Sequence, residues 1–290
     1  VRANAGCRVM GILNVTPDSF SDGGRFATAE QAIASGIALA EQGADVVDVG
    51  GESTRPGAER VSPEEELRRV LPVIAGLTAA GVPTSIDTTR ASVARAAVDA
   101  GARLVNDVSG GLADPAMARV VAETGVRWVL MHWRGPSRTM AARARYSADV
   151  VGDVLGELSA RLDAASAAGV AAEQLLVDPG LGFAKRTEHD LAVLRGLDRI
   201  VALGPPVLLG ASRKRFLGSV LAEPDREPPP PTARDAATLA TSVLAARAGV
   251  WGVRVHDTGA TADALRLVSA LERHHDALDP GRRTTQGASR

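Results

Sequence analysis

Met10-Gly11-Ile12-Leu13-Asn14-Val15-Thr16-Pro17-Asp18-Ser19-Phe20-Ser21-Asp22-Gly23-Gly24 is an apolar run that stops at an asparagine and gives way to small hydroxyls, two carboxylates, one aromatic ring and a glycine pair. The first part has the residues of a strand; the second cannot pack as core. A strand that ends by handing polar groups to a loop is a common way to build a site on a rigid scaffold. The same event recurs seven more times along the chain, and that recurrence decides the fold.

Outward from it, residues 29–42 carry apolar side chains at helical spacing and stop at Gly43. Residues 45–51 are rich in β-branched side chains and read as a second strand. Ser62-Pro63-Glu64-Glu65-Glu66 is a helix start: a capping hydroxyl, a proline in the first turn, and acids beside the N-terminal dipole. Further strands are expected at 83–88, 103–108, 127–133, 174–179, 206–211 and 252–256, each followed by a helical stretch. Eight strand-then-helix units with no interdomain linker imply a parallel sheet with right-handed crossovers. In a chain of 290 residues they fit an α/β fold of the closed (β/α)8 TIM-barrel kind. One barrel domain is expected over 1–278, with 279–290 a flexible tail. A doubly wound open sheet is the runner-up, but the glycine-rich phosphate loop that usually follows its first strand does not occur.

A formal net charge of −1 gives no electrostatic reason to expect nucleic acid or an anionic membrane as partner. No apolar run is long enough to span a bilayer, and no secretory pattern is visible. The single cysteine, Cys7, excludes an internal disulfide and fits a reducing compartment, so a cytoplasmic protein is expected. Of the 33 basic residues only Lys185 and Lys214 are lysines, and the only asparagines are Asn4, Asn14 and Asn106.

In a barrel the loops after the strands share one face, and that face holds the site. The strand ends offer Asn14, Glu52 with Arg55, Asp87, Asn106, His132, Asp178, Lys214, and Arg254 with His256. Lys214 is a compact three-donor cation in a chain that otherwise uses arginine. Arg254 and His256 lie on one face of a strand by the period of two, and a cationic fork beside an imidazole suits phosphate or carboxylate. The plainer reading pairs Arg254 with an inward acid. Asp87, Asn106 and Asp178 face inward, where carboxylates are costly unless partnered. A flat heterocycle bearing N–H donors would satisfy them; so would ion pairs with Lys214 and other cations. His189, His274 and His275 lie in helical segments and read as surface or helix-end residues. Asn14 with Asp18 and Asp22 supplies oxygens suited to a hard cation such as Mg²⁺. The sequence holds no zinc cluster, no H-E-x-x-H and no nucleophile elbow.

The stretch 10–24 resembles the first signature of the dihydropteroate synthases, and Asp48-Val49-Gly50-Gly51-Glu52-Ser53-Thr54-Arg55-Pro56-Gly57 is similar to the second. Shorter matches follow in the family's order: Ser85-Ile86-Asp87-Thr88, Asn106-Asp107-Val108-Ser109-Gly110-Gly111, Asp178-Pro179-Gly180-Leu181-Gly182-Phe183, Ser212-Arg213-Lys214 and Arg254-Val255-His256-Asp257. The resemblance implies a transferase of folate biosynthesis that joins 6-hydroxymethyl-7,8-dihydropterin pyrophosphate to 4-aminobenzoate, releasing diphosphate by an SN1-like route. It implies that Asp87, Asn106, Met131, Asp178 and Lys214 hold the pterin. Asn14, Arg254 and His256 would bind the diphosphate, with Mg²⁺ beside Asn14. Thr54, Arg55, Pro56 and Phe183 would frame the aminobenzoate, and Asp18, Asp22, Lys214, Arg254 and His256 would serve the chemistry. The loops at 16–24 and 52–57 would close over the reacting centre, and a homodimer would form through late barrel helices. Two other readings share the pterin-binding motifs: a paralogue that binds pterin without condensing it, and a methyltetrahydrofolate-dependent methyltransferase barrel. Arg215, Arg186 and the proline-rich loop 224–231 depart from the family's pattern.

Overall fold

The computed structural model describes residues 6–16, 29–52, 60–136 and 139–278. Among them the strands and helices alternate: β1 (Arg8–Asn14), α1 (Ala29–Glu41), β2 (Val46–Gly50), α2 (Pro63–Ala79), β3 (Thr84–Asp87), α3 (Ala91–Asp99), β4 (Leu104–Asp107), α4 (Met117–Thr124), β5 (Arg127–Met131) and α5 (Val150–Ala167). The chain continues through β6 (Leu175–Asp178), α6 (Thr187–Arg195), α7 (Leu197–Val201), β7 (Leu208–Leu209), α8 (Arg215–Leu221), α9 (Asp235–Arg247), β8 (Gly252–Val255) and α10 (Thr258–Leu278). The eight strands form one parallel sheet in the order β6-β5-β4-β3-β2-β1-β8-β7. Its two ends meet where Val177 bridges Val207 and donates its N–H to the Pro206 carbonyl at 3.0 Å, closing a (β/α)8 barrel.

Local chemistry sets the elements. Ser62 caps α2, its Oγ accepting from the Glu65 N–H at 3.2 Å, and Gly43 turns the chain at φ 115° after α1. The helical stretch expected after the sixth strand is two helices broken at Gly196. The expected seventh strand shrinks to two residues, since Pro205 and Pro206 have no N–H to give a ladder. Residues 215–221, between the seventh strand and the proline-rich loop, form the short helix α8.

Strand alternation explains where the site lies. Met10, Leu104, Val129, Leu176 and Leu208 point into the barrel and fill it as an apolar plug, with Val46 and Trp251 packed against them. Two residues further along the same strands, and so on the same inner face, stand Ile12, Asp48, Asn106, Met131, Asp178 and Gly210. The polar layer therefore sits directly on the plug, at the strands' C-terminal ends. Outward-facing residues such as Val47, Val49, Ile86, Val105 and Leu130 pack under α1–α4, and Val177, Leu209, Val253 and Val255 under the later helices. No helix among the described residues is long and apolar enough to cross a membrane.

Candidate active site at the C-terminal mouth of the barrel

The strand ends converge on two groups of buried charge. The first is organised by Asp48, on β2, which is fully buried. Its Oδ2 accepts from Asn106 Nδ2 at 2.9 Å and from Arg254 Nε at 2.6 Å. Arg254 extends its other arm to Asp87, Nη2 donating to Oδ2 at 2.8 Å. Four strands (β2, β3, β4 and β8) are tied together by three charge-assisted hydrogen bonds. Burial pushes the Asp87 carboxyl up to about 7; Arg254 opposes that shift without cancelling it. Arg254 thus pairs with the inward acids Asp48 and Asp87, the plainer of the two readings of its sequence position.

The second group lies after β6 and β7. Asp178 is buried, which raises its pKa, while Lys214 and the Gly180 N–H, donating to Oδ1 at 2.7 Å, pull the other way. Lys214 bonds to the Leu181 carbonyl and stands 4.8 Å from the centre of the Phe183 ring. Burial lowers its ammonium to about 8. The turn that aims Lys214 inward is strained: Arg213 adopts φ 58°, a conformation that costs a non-glycine residue about 1 kcal/mol. Arg213 is locked there by a two-pronged pair with Asp235 at 2.7 and 2.8 Å, and Thr238 Oγ1 accepts its N–H at 3.1 Å. Of the basic run Arg213-Lys214-Arg215, then, one side chain turns to α9, one enters the mouth, and Arg215 is exposed at the start of α8. Ser212 Oγ accepts the His256 N–H at 3.2 Å and lies 2.8 Å from His256 Nδ1, which orients that imidazole.

Two glycines leave room between these groups. A Cβ on Gly50 would lie 3.7 Å from both Asn14 Oδ1 and Asp87 Oδ2; one on Gly210 would lie 3.6 Å from Asp178 Oδ2 and 3.7 Å from Lys214 Nζ. Each glycine opens a gap in the ring of polar groups where a side chain would stand. A flat, donor-rich molecule is what such a floor of acceptors and cations can hold.

Asn14, Asp87, Asn106, Met131, Asp178, Lys214, Arg254 and His256 all lie at this mouth, with Phe183 in the loop beside Lys214. Asp18, Asp22, Thr54, Arg55 and Pro56 lie outside the described residues, as do most of the loops at 16–24 and 52–57 and the tail from 279. Other expectations change. Glu52 binds Arg60 and Arg90, each at 2.9 Å, and braces the rim. His189 is at a helix start but not on the surface: it is buried, its Nδ1 accepts from the Arg186 N–H at 3.2 Å, and it packs 4.7 Å from Tyr146. His132 is a buried residue just past β5. Asp107, next to Asn106, faces outward and holds the turn at Ser109 and Gly111. Asp48, Lys185, Asp190 and Ser212 are site residues to which the sequence reading assigns no role. For Asp48 the signal was available: it lies two residues before Gly50 on one strand face.

Residues 10–256 match the family described as Pterin binding enzyme. The dihydropteroate synthase of Mycobacterium leprae is 56% identical over 91% of this chain and 93% of its own length. That of Bacillus subtilis is 46% identical over 91% of this chain and 88% of its own. The structure of Xanthomonas albilineans dihydropteroate synthase with 4-aminobenzoic acid superposes with a TM-score of 0.84 at 47% identity, covering 92% of this chain and 94% of that one. The same enzyme in complex with 7,8-dihydropteroate gives a TM-score of 0.82 at 45% identity, covering 92% and 94%. The chain belongs to the pterin-binding enzymes and, among them, to the dihydropteroate synthases, which are transferases.

Proposed function

We propose that the protein joins 6-hydroxymethyl-7,8-dihydropterin pyrophosphate to 4-aminobenzoate, giving 7,8-dihydropteroate and diphosphate. The observation that carries this reading is the ring of Asp87, Asn106, Asp178, Lys214 and Arg254 around the gaps at Gly50 and Gly210. In this reading the carboxylates of Asp87 and Asp178 and the amide of Asn106 take the pterin's N–H groups, Lys214 donates to its acceptor atoms, and Met131 packs against the ring. The C–O bond between the pterin methylene and diphosphate breaks with its electron pair leaving on oxygen. The arylamine nitrogen then bonds to that carbon and loses a proton to solvent. Arg254 and His256 neutralise the departing charge, and the acids around the pterin stabilise the electron-poor carbon left behind. Phe183 with Thr54, Arg55 and Pro56 frames the aminobenzoate; Asp18 and Asp22 belong to a loop that closes over the site and keeps water from the cation.

The residues at the end of β1 fit Mg²⁺. That ion takes few protein ligands when it has phosphate oxygens and water, and the Asn14 amide oxygen and an Asp87 carboxylate oxygen each stand 3.7 Å from where a Cβ on Gly50 would lie. No cluster of three or more acids, histidines or cysteines among the described residues offers an all-protein cage. Asn14 would hold the ion, which when bound lowers the charge on the leaving diphosphate. A homodimer in the cytoplasm completes the reading. Leu191 and Leu244, 44% and 64% exposed, share a shallow cavity with Leu194 and Leu197 that would be the contact. The decisive experiment is diphosphate release from the pterin substrate on adding 4-aminobenzoate, with and without Mg²⁺. Folded protein that gives no product overturns the reading; light scattering at micromolar concentration tests the dimer.

A further inference from the structure

Lys185 is one of only two lysines in the chain, and both bind the same loop. Its Nζ donates to the carbonyls of Gly180 at 3.0 Å and Phe183 at 3.3 Å and lies 3.0 Å from His132 Nδ1. An ammonium has three donors, and these three acceptors saturate it. Behind it, burial lowers His132 to about 4, so the ring is neutral and Nδ1 can accept. Its Nε2 then carries the proton, 3.0 Å from Glu157 Oε2 though off the ring's N–H direction; Glu157 is in turn held by Arg134 Nε at 3.0 Å.

The loop needs holding. Gly180, Gly182 and Ala184 have φ of 67°, 76° and 47°, and only Ala184 lacks a glycine's freedom there. Asp190 Oδ1 takes the Gly182 N–H at 2.7 Å, and Lys214 takes the Leu181 carbonyl. Lys185 takes the carbonyl of Phe183 itself and that of Gly180, where the loop begins. The backbone that carries the Phe183 ring is thus fixed from below by one lysine while the ring stands over the other.

We propose that Lys185 is a positioning residue for 4-aminobenzoate: it staples the Gly180–Ala184 loop and so sets the Phe183 ring beside Lys214. The proposal rests on the reading above that Phe183 frames the aminobenzoate. It separates Lys185 from Lys214, which faces the gap at Gly210 and serves the pterin.

The test is steady-state kinetics of Lys185→Met, Phe183→Ala and the double variant, with each substrate varied in turn. Lys185→Met should raise KM for aminobenzoate about tenfold while KM for the pterin substrate stays within twofold. Phe183→Ala should do the same, and the double variant should be no worse than the poorer single one, since both changes act through one ring. If Phe183→Ala raises the aminobenzoate KM but Lys185→Met does not, or if the two effects multiply, the proposal fails and the reading of Phe183 stands. If Phe183→Ala leaves that KM unchanged, the reading of Phe183 fails and takes the proposal with it. Should Lys185→Met not fold, Asp190→Ala frees the loop from its other side and must raise the aminobenzoate KM alone; an unchanged KM overturns the staple.

Discussion

On the β2, β3, β4 and β8 side of the mouth one cation is gripped by two carboxylates, Arg254 by Asp48 and Asp87. On the β6 and β7 side two cations are gripped chiefly by backbone carbonyls, Lys214 by that of Leu181 and Lys185 by those of Gly180 and Phe183. The difference decides what each cation is worth to the fold. Removing Arg254 strands two buried acids, and breaking a buried pair costs about 3–5 kcal/mol. Removing a lysine strands carbonyls, which retain a second lone pair, and takes from the buried Asp178 a nearby charge to which it makes no direct hydrogen bond; that costs less than breaking a hydrogen-bonded ion pair. It decides reactivity too: burial lowers both ammonium groups, to about 8 for Lys214 and about 7 for Lys185, while the Arg254 guanidinium is raised by its acids once its burial is offset.

The largest effects should separate the two halves. Lys214→Ala is expected to lose about a hundred- to a thousandfold in turnover, the loss usual for one electrostatic donor at a reacting centre, with little change in melting temperature. Arg254→Ala should lose comparable activity and also about 3 kcal/mol of stability. Urea unfolding of the two variants measures the contrast, and equal stability losses would abolish the distinction. Lys214 should also set the alkaline limb of kcat/KM for the pterin substrate. Its ammonium loses its proton near pH 8, so activity should fall above that pH. In Lys214→Arg the fall should disappear; a limb that stays at pH 8 belongs to another group.

A smaller effect tests the gaps. Neither Gly50 nor Gly210 has a positive φ, and a Cβ at either would meet its neighbours at ordinary contact distance. Gly50→Ala and Gly210→Ala should fold as well as the parent yet raise KM for the pterin substrate about tenfold, a value that roughly 1.4 kcal/mol of lost binding produces. Unchanged KM would mean that the pterin does not use these spaces.

The comparison also separates what the sequence made legible from what it did not. Asn14, Asp87, Asn106, Asp178 and Arg254 end or nearly end strands, and there alternation fixes which way a side chain points. Asp48 obeys the same rule, two residues before Gly50 on the inner face, but it sits mid-strand among valines and not at the strand's end. Lys185, His132 and Ser212 lie beyond strand ends, where no periodicity governs a loop, and Asp190 lies in the first turns of α6. Their positions depend on strained turns at Ala184 and Arg213 and on partners far along the chain, such as Glu157 and Asp235. Only the scarcity of lysine pointed at Lys185.

The smallest effect concerns the pH dependence of stability behind the lysine half. His132 has a side chain with no solvent exposure, and burial lowers it to about 4, with Glu157 pulling the other way. Its ordinary value is about 6.5, so between pH 6.5 and 4 the unfolded chain binds a proton that the folded protein refuses. Stability from this residue is complete above pH 6.5 and is lost as pH falls toward 4, by up to about 3 kcal/mol. On the acid half Asp87 is shifted the opposite way, up to about 7. It favours the folded protein at low pH and loses that contribution as pH rises from about 4 to 7. The two slopes oppose each other, so the parent's stability curve should be flatter than either. His132→Gln keeps an acceptor for Lys185 and removes only the titration. Measured against it by urea unfolding from pH 4 to 8, the parent should lose relative stability steadily below pH 6.5 and none above. Parallel curves would show that His132 titrates in the folded protein as it does in the unfolded chain, so that below about pH 6.5 its ring is protonated and Lys185 must find its third acceptor elsewhere.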